Sequence, residues 1–313
     1  MNATAPENAV ADDRTAGSLP ALIALRERIG RVRIAPVLSR TARSGQHTTR
    51  LFGRGMDYAE SRVYQAGDDV RRLDWRLTAR SGKLHTKLFQ EDRESSTVIV
   101  LDTHASMHFG TRVRFKSVQA AHVAAAVAWR ATQAGERVGM VGFGAAADQV
   151  LRPVGGTRGG LAVCGALAKW DGSASTAAGE ALSSVLRRAR RLLHMASRIV
   201  LISDGFSCDA AAQSPLRELA QRASVRFVLV ADVLELELPV AGSYPLESRG
   251  HRGVVNLRSP SQQRDFLRAL GVGAARLRAK AEALGLRCVQ VDVAGDACAA
   301  SARVFQSVRR QHP

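Results

Sequence analysis

The sequence has no uninterrupted run of apolar residues as long as the roughly 18 that a membrane-spanning helix needs. Its four cysteines, Cys164, Cys208, Cys288 and Cys298, form no C-x-x-C pair and have no spacing typical of a zinc site. Four cysteines in 313 residues are also too few for a disulfide scaffold, which favours a reducing compartment. Residues 1–18 contain acids and no long apolar stretch, so they do not resemble a signal peptide. We therefore expect a soluble cytoplasmic protein with no transmembrane segment.

Several motifs of common catalytic and nucleotide-binding sites are also missing. No G-x-x-x-x-G-K-[ST] occurs, and no G-x-G-x-x-G follows the first predicted buried strand, which argues against phosphate and dinucleotide cradles. The sequence has no G-x-S-x-G nucleophile motif and no H-x-x-x-H beside a glutamate. We therefore predict no catalytic residues and expect a protein that is not an enzyme.

The charge is strongly one-sided. The formal net charge is +17, and only five of the 45 basic residues are lysines, so the other 40 are arginines. Such a surface could bind an acidic partner or nucleic acid. The simpler interpretation, which we favour, is that the arginine content reflects coding bias and that many guanidinium groups form internal ion pairs. Basic residues are not interleaved with aromatic side chains that could stack on bases, so nucleic acid is the weaker alternative.

From residue 96 onward, short apolar segments alternate with amphipathic ones. The segments 95–101, 197–203 and 225–232 read as buried strands, and residues 112–135, 177–194, 214–224 and 260–285 read as helices, with Ser214 as an N-cap. This alternation predicts an α/β fold with a doubly wound, mostly parallel sheet of the Rossmann type. We expect three parts: a disordered tail and short helix at 1–48, an irregular or β extension at 49–95 that packs on the core, and an α/β domain at 96–310.

Two acids directly follow buried strands. Asp102 follows the apolar V-I-V-L in the segment V-I-V-L-D-T-H-A-S, and Asp204 ends the segment S-R-I-V-L-I-S-D. A carboxylate in such a place needs compensation from hydrogen bonds or a cation. Because the carboxyl ends of parallel strands meet at one edge of a sheet, we expect the two acids to lie close together. With nearby hydroxyl groups they would form an oxygen-rich set suited to Mg²⁺ or Mn²⁺.

The segment around Asp102 resembles the D-x-S-x-S metal-adhesion motif of von Willebrand factor A-type domains. The resemblance implies a divalent metal held by Asp102, Ser106, Asp204 and a loop hydroxyl that best matches Thr176, although two serines lie in the same loop. His104 replaces the first serine of the motif. Because imidazole prefers softer metals, three alternatives stay open: a softer ion, a ring that turns away, or a protonated ring in place of the cation. A fourth alternative is that these acids and hydroxyls merely cap the local backbone.

A second resemblance lies upstream. The segments G-R-G-M-D-Y at 53–58, R-V-Y-Q-A-G-D-D-V-R-R-L-D-W at 62–75 and T-A-R-S-G-K-L-H-T-K-L-F-Q-E-D at 78–92 are similar to the signature of the domain-of-unknown-function-58 family. Asp57 and Tyr58 replace the usual Glu and Phe. The resemblance implies a non-enzymatic adaptor that partners a MoxR-type AAA+ ATPase and helps to assemble or activate a client protein.

The second of these segments concentrates acids and arginines. We predict that it forms a hydrogen-bonded ion network that fastens the extension to the core, because such networks fix geometry. Partner docking is the alternative, and a catalytic acid–base pair is weaker still. The residues of this predicted network are Arg62, Tyr64, Asp68, Asp69, Arg72, Asp74 and Trp75.

Overall fold

The computed structural model describes residues 17–30, 56–91, 95–111, 113–144, 149–169, 179–248 and 251–306. Its contacts divide the chain into two compact units. We call Arg43–Glu94 the hairpin unit, and Met1–Ala42 with Ser95–Pro313 the α/β unit. Within the described segments, no helix is both long and apolar enough to cross a membrane.

Ten strands are described: β1 Met56–Val63, β2 His85–Glu91, β3 Ser96–Thr103, β4 Arg137–Gly144, β5 Val150–Val154, β6 Arg198–Ser203, β7 Ser224–Ala231, β8 Gly242–Ser248, β9 His251–Leu257 and β10 Arg287–Asp292. The described α-helices are α1 Leu19–Arg28, α2 Trp75–Ser81, α3 Lys116–Gln133, α4 Gly156–Lys169, α5 Leu182–Arg188, α6 Arg190–His194, α7 Gln213–Arg222, α8 Val233–Leu236, α9 Pro260–Leu270, α10 Val272–Ala283 and α11 Ala297–Phe305.

The α/β unit is built on a six-stranded sheet with the order β10–β7–β6–β3–β4–β5. All neighbouring strands are parallel except β5, which pairs antiparallel with β4 at one edge. Counted along the chain, this is the doubly wound order 3-2-1-4-5-6, whose direction reverses between β3 and β6. The predicted α/β fold with a mostly parallel, doubly wound sheet is therefore confirmed.

The sheet is covered on both faces, which explains why its strands are apolar along their whole length. Residues such as Ile99 and Leu101 of β3 point into one core cluster with α1, α3, α4 and α11. Their neighbours Val98 and Val100 point into a second cluster with α5, α7 and α10. Successive side chains alternate between faces, so each strand contributes to both cores.

Helix α3 is buried along most of its length because it lies between the sheet and other helices. Its alanine-rich sequence lets neighbouring elements approach closely, and the Trp129 indole donates a hydrogen bond of 3.0 Å to the Leu22 carbonyl of α1. Gly160 of α4 faces the same ring, and a Cβ there would lie 2.4 Å from it. This packing fixes α3 and carries its first residue, Lys116, to the carboxyl ends of the strands.

The hairpin unit contains the antiparallel pair β1–β2, with an irregularity in register between Tyr58 and Glu60. Helix α2 lies between these strands in the chain and ends at Gly82, whose positive φ of 70° suits glycine. A separate antiparallel hairpin, β8–β9, lies in the α/β unit and leads into α9.

Candidate functional site

Asp102 and Asp204 lie at the carboxyl ends of β3 and β6, the neighbouring strands at which the sheet order reverses. Both carboxylates are buried. Parallel pairing aligns Leu101 with Ile202, which brings the two strand ends to the same edge of the sheet. The group formed by Asp102, His104, Lys116, Ser203, Asp204, Ser207 and Glu235 is called the carboxyl rim below.

The carboxylate of Asp102 accepts hydrogen bonds on both oxygens. Its Oδ2 accepts from the hydroxyls of Ser203 and Ser207, at 2.5 and 2.6 Å. Its Oδ1 accepts from the backbone N–H of His104 at 3.0 Å and contacts the Nδ1 of the same residue at 2.7 Å. Burial alone would raise the pKa of Asp102, but the hydrogen bond and charge of His104 and the two hydroxyls hold it below its ordinary value.

His104 turns its ring toward the acid and is enclosed on its other sides. The ring lies edge-on to Phe143, with centroids 5.5 Å apart, and a Cβ on Gly179 would lie 2.1 Å from its Cδ2. Burial would lower the pKa of His104, but the hydrogen bond and charge of Asp102, with a smaller contribution from Asp204, raise it above its ordinary value. The ring forms an ion pair with Asp102 whenever it is protonated.

Lys116 is the second cation of the rim. Its fully buried Nζ lies 2.9 Å from Asp204 Oδ2 and 2.6 Å from Glu235 Oε1. The rings of Phe109 and Phe206 each have their centroid 5.5 Å from this ammonium. Burial would lower the pKa of Lys116, but the charges of Asp204 and Glu235 raise it above its ordinary value.

The remaining oxygens of the two acids that bind Lys116 are also engaged. Asp204 Oδ1 accepts from the backbone N–H of Phe206 at 3.1 Å, and Glu235 Oε2 accepts from that of Asp232 at 2.9 Å. Asp232 in turn accepts from the backbone N–H and hydroxyl of Thr111, at 3.0 and 2.9 Å. The loop that precedes α3 is thereby tied to the ends of β6 and β7.

These residues do not fit a divalent metal. Each rim aspartate already contacts a basic side chain of the chain, and each of its oxygens accepts at least one hydrogen bond. In the described part of the chain, no three His, Cys, Asp or Glu side chains are grouped so that they could hold a metal ion. The hydroxyl of Ser106 is buried without a hydrogen-bond partner, but a neutral hydroxyl alone cannot hold Mg²⁺. Thr176, the predicted loop ligand, lies outside the described residues.

The sequence analysis did not identify Lys116, Glu235, Ser203 or Ser207 as site residues. One signal was available for Lys116, because this chain uses lysine at only five positions and one of them begins a helix that is otherwise apolar. The serines adjoin Asp204 in the sequence, yet their bonds run to Asp102, about a hundred residues away. Only the pairing of β3 with β6 shows this.

The acids of the predicted acid–arginine network make local contacts inside the hairpin unit. Asp68 accepts from Arg62 at 2.7 Å and from the backbone N–H of Gln65 at 2.9 Å. Asp69 accepts from the Arg71 N–H at the start of a short 3₁₀ turn. These bonds hold the turns between β1 and α2.

The other members of this predicted network differ in their exposure. Asp74 N-caps α2 by accepting from the Leu77 N–H at 3.1 Å, and it accepts a second bond of 2.8 Å from the Ser61 hydroxyl. Tyr64 is partly buried, whereas Trp75 is 67% exposed and therefore does not serve as an apolar anchor within this unit. The side chain of Arg72 lies outside the described residues.

A cleft of about 510 Å³ adjoins the carboxyl rim, between the start of α7 and one face of α10. Arg276 and Lys280 lie on one face of α10, one helical turn apart, and both line the cleft. Cys208 also lines it, directly after Ser207 of the rim. Burial raises the pKa of the Cys208 thiol, which keeps it protonated and unreactive at neutral pH. The lining residues are Cys208, Asp209, Ala210, Gln213, Arg276, Ala279, Lys280 and Ala283.

Comparison with solved structures finds similarity to several proteins at low sequence identity. An aerotolerance-related membrane protein from Bacteroides fragilis is 15% identical, with 67% of this chain and 96% of that chain covered and a TM-score of 0.43. BatB from Bacteroides thetaiotaomicron is 16% identical over 67% of this chain and 95% of that chain, with a TM-score of 0.39. The VWA domain of SpRpn10 is 11% identical over 68% of this chain and 98% of that chain, with a TM-score of 0.36.

Comparison of sequences gives a family. Uncharacterized proteins from Mycobacterium bovis and Mycobacterium tuberculosis are 34% identical to this chain, over 72% of its length and 71% of theirs. Residues 60–273 match the family described as "Protein of unknown function DUF58". The matched segment begins in the hairpin unit and includes all of the carboxyl rim. The chain therefore belongs to the DUF58 family, as its sequence motifs led us to expect.

Proposed function

We propose that this chain is a non-enzymatic protein-interaction module that acts in the cytoplasm with a MoxR-type AAA+ ATPase to assemble or activate a client protein. The family and its α/β fold support an interaction role. The rim supports it as well, because the hydroxyls of Ser203 and Ser207 both donate to Asp102 and the carboxylate of Asp204 pairs with Lys116, so these groups are engaged with one another. The ATPase partner rests on the resemblance of the sequence motifs alone.

The proposed docking site is the cleft beside the carboxyl rim. Arg276 and Lys280 present two cations from one helix face, and no ion pair within 4.0 Å is described for either of them. A carboxylate that enters a partly sheltered cleft meets these charges at a lower effective dielectric than on an open surface. Helix α7 begins at the cleft with no side-chain cap, and its positive end also favours an anion. We therefore propose an acidic segment of the partner protein as the ligand.

Nucleic acid is the alternative ligand, because the net charge of +17 attracts any polyanion. The cleft favours a carboxylate-bearing peptide over a nucleic acid. Among the described residues no aromatic side chain lines it, so they offer no platform on which bases could stack, whereas Ala279 and Ala283 provide a small apolar wall suited to a peptide.

The test is the affinity of the chain for a purified MoxR-type ATPase of the same organism, measured by biolayer interferometry. Arg276→Glu with Lys280→Glu should weaken binding by about tenfold or more, because two attractions become repulsions. Arg258→Glu with Arg264→Glu is the control, since it makes the same charge change at two exposed residues near the start of α9. The control pair should leave binding within about twofold.

Three results would contradict the proposal. Absence of binding to the ATPase by the wild-type chain would remove the partner. Equal weakening by the cleft pair and the control pair would show that general charge, not the cleft, attracts the partner. Tight binding of a fluorescent single-stranded oligonucleotide, with an affinity that falls steeply with salt and is lost in the cleft pair, would assign the cleft to nucleic acid.

A further inference from the structure

Lys116 supplies positive charge at the position in the fold where the resemblance to adhesion domains implies a metal ion. We infer that the ammonium of Lys116, together with the His104 ring that contacts Asp102, takes the place of a divalent cation at the carboxyl rim, and that this chain binds its partners without metal. The inference does not depend on which partner the chain binds. It concerns what neutralises Asp102 and Asp204.

Groups of the chain itself compensate the carboxylates of the carboxyl rim. A buried carboxylate is unstable unless a cation or several hydrogen bonds compensate it. Asp102 accepts hydrogen bonds from the His104 backbone and two serine hydroxyls and contacts the His104 ring, and Asp204 has Lys116 at 2.9 Å. The Lys116 ammonium also lies 2.6 Å from Glu235, whose second oxygen accepts the backbone N–H of Asp232. Little uncompensated negative charge remains to attract a metal ion.

The pocket around Lys116 leaves no room for a hydrated metal ion. The side chains of Lys116 and Asp204 are each only 1% exposed. The rings of Phe109 and Phe206 both lie within reach of the ammonium, and they replace the water that a hard cation would keep. Mg²⁺ gives up its water ligands reluctantly and binds in sites that leave it several of them. A hydrated ion and Lys116 therefore cannot occupy this pocket together.

The residue type at position 116 also supports the inference. Lys116 is the first residue of α3, where the helix dipole disfavours a cation. A compact ammonium can sit between two carboxylates in a small pocket, whereas the planar guanidinium of arginine needs more room and more acceptors. In a chain with 40 arginines and five lysines, a lysine at this position indicates a requirement for a point charge.

The experiment compares Mn²⁺ binding and thermal stability in the wild-type chain, Lys116→Met and Lys169→Met. We expect no saturable Mn²⁺ binding to the wild type, measured by the loss of the free-ion electron paramagnetic resonance signal, and no change of Tm with Mn²⁺ or EDTA. Lys116→Met should melt at a lower temperature, because it leaves two carboxylates without a cation. Mn²⁺ should bind this variant about tenfold more tightly than the wild type, or better, and restore part of the lost Tm. Lys169→Met removes an exposed lysine and should match the wild type.

A second variant keeps the inference testable if Lys116→Met does not fold. His104→Ser restores the serine of the adhesion motif at a partly exposed position and should gain weak Mn²⁺ binding. Saturable Mn²⁺ binding by the wild type that Asp102→Asn abolishes would overturn the inference. So would a folded Lys116→Met or His104→Ser variant whose Tm and Mn²⁺ affinity equal those of the wild type in the presence of metal. None of these measurements involves the ATPase, so their failure is distinct from failure of the proposed function.

Discussion

At the scale of single residues, the α/β unit pairs buried charges at both ends of its sheet. At the amino end, the Arg198 guanidinium lies 3.0 Å from Glu136 Oε1 and stacks over the Phe305 ring at 4.3 Å. The Thr97 hydroxyl donates to the other oxygen of Glu136. Burial lowers the pKa of Arg198, and the charge and hydrogen bonds of Glu136 offset only part of this. The strands β3 and β6 thus begin, as well as end, at an internal ion pair.

Glu136→Gln should reduce the free energy of unfolding by about 3–5 kcal/mol, because it leaves the buried guanidinium without a counter-charge. The positive charge of Arg226 nearby increases this effect. Urea unfolding followed by far-UV circular dichroism measures the change. The double variant Glu136→Leu with Arg198→Met removes both charges and should lie within about 2 kcal/mol of the wild type. A double variant as unstable as the single one would show that the pair contributes more than mutual neutralisation.

The candidate site could be predicted from sequence only in part. Asp102, His104 and Asp204 follow apolar strands, and this local pattern predicts that they lie at one rim of the sheet. No local pattern marks Lys116 or Glu235. Lys116 lies 88 residues before Asp204 and 119 residues before Glu235 in the chain, and the three meet only through the packing of α3. The metal site was predicted from Asp102 and Asp204 without regard to the basic side chains that contact them.

At the scale of elements, several predicted helices are interrupted. The segment 177–194 contains α5 and α6, separated at Ala189, and the segment 260–285 contains α9 and α10, separated at Gly271. Amphipathic periodicity continues across each break, so the sequence alone does not reveal it. At Gly271 the cause is tertiary, since a Cβ there would lie 2.8 Å from the Glu235 carbonyl oxygen. The predicted N-cap at Ser214 is wrong, because α7 begins at Gln213 without a side-chain cap.

The cap of α2 makes a prediction about pH. Hydrogen bonds from the Leu77 N–H and the Ser61 hydroxyl lower the pKa of Asp74. A carboxyl group with a lowered folded-state pKa contributes stability that is present at neutral pH and is lost as the pH falls through that pKa. The Leu77 amide should therefore be protected from hydrogen exchange at about pH 6 and lose protection only once the pH falls below the ordinary aspartate pKa of about 3.9, after correction for intrinsic exchange rates.

Two variants of Asp74 separate capping from charge. Asp74→Ala should remove protection of the Leu77 amide at every pH, because no acceptor remains. Asp74→Asn retains an acceptor oxygen and should keep most of the protection without its acid-dependent loss. If Asp74→Ala exchanges no faster than the wild type, the cap does not hold α2.

At the scale of the whole molecule, an N-terminal helix completes the core of the α/β unit. Helix α1 buries Leu22, Leu25 and Ile29 against α3 and α4, although it lies far from β3 in the chain. The sheet could be predicted because its buried strands appear in the sequence as nearly continuous apolar segments. The docking of α1 could not be predicted, because its helical spacing does not specify which surface it covers.

Leu22→Ala should lower the free energy of unfolding by about 2–5 kcal/mol, the usual result of removing a fully buried leucine. Leu19→Ala, on the same helix, removes a side chain that is 40% exposed and should cost less than about 1 kcal/mol. Guanidinium unfolding of the full chain measures both variants. Equal effects would indicate that α1 contributes helix content but little packing to the fold.

The adjacency of Ser207 and Cys208 links the rim to the cleft covalently. One residue binds Asp102 at the end of β3, and the next forms part of the cleft wall. A ligand that draws this short loop toward α10 would therefore pull on the hydroxyl that holds Asp102. If binding at the cleft weakens the bond from that hydroxyl to Asp102, then by thermodynamic reciprocity weakening the bond changes the affinity of the cleft by the same free energy. Binding at the cleft would in this way change the contacts of Asp102 at the carboxyl rim without the movement of a domain.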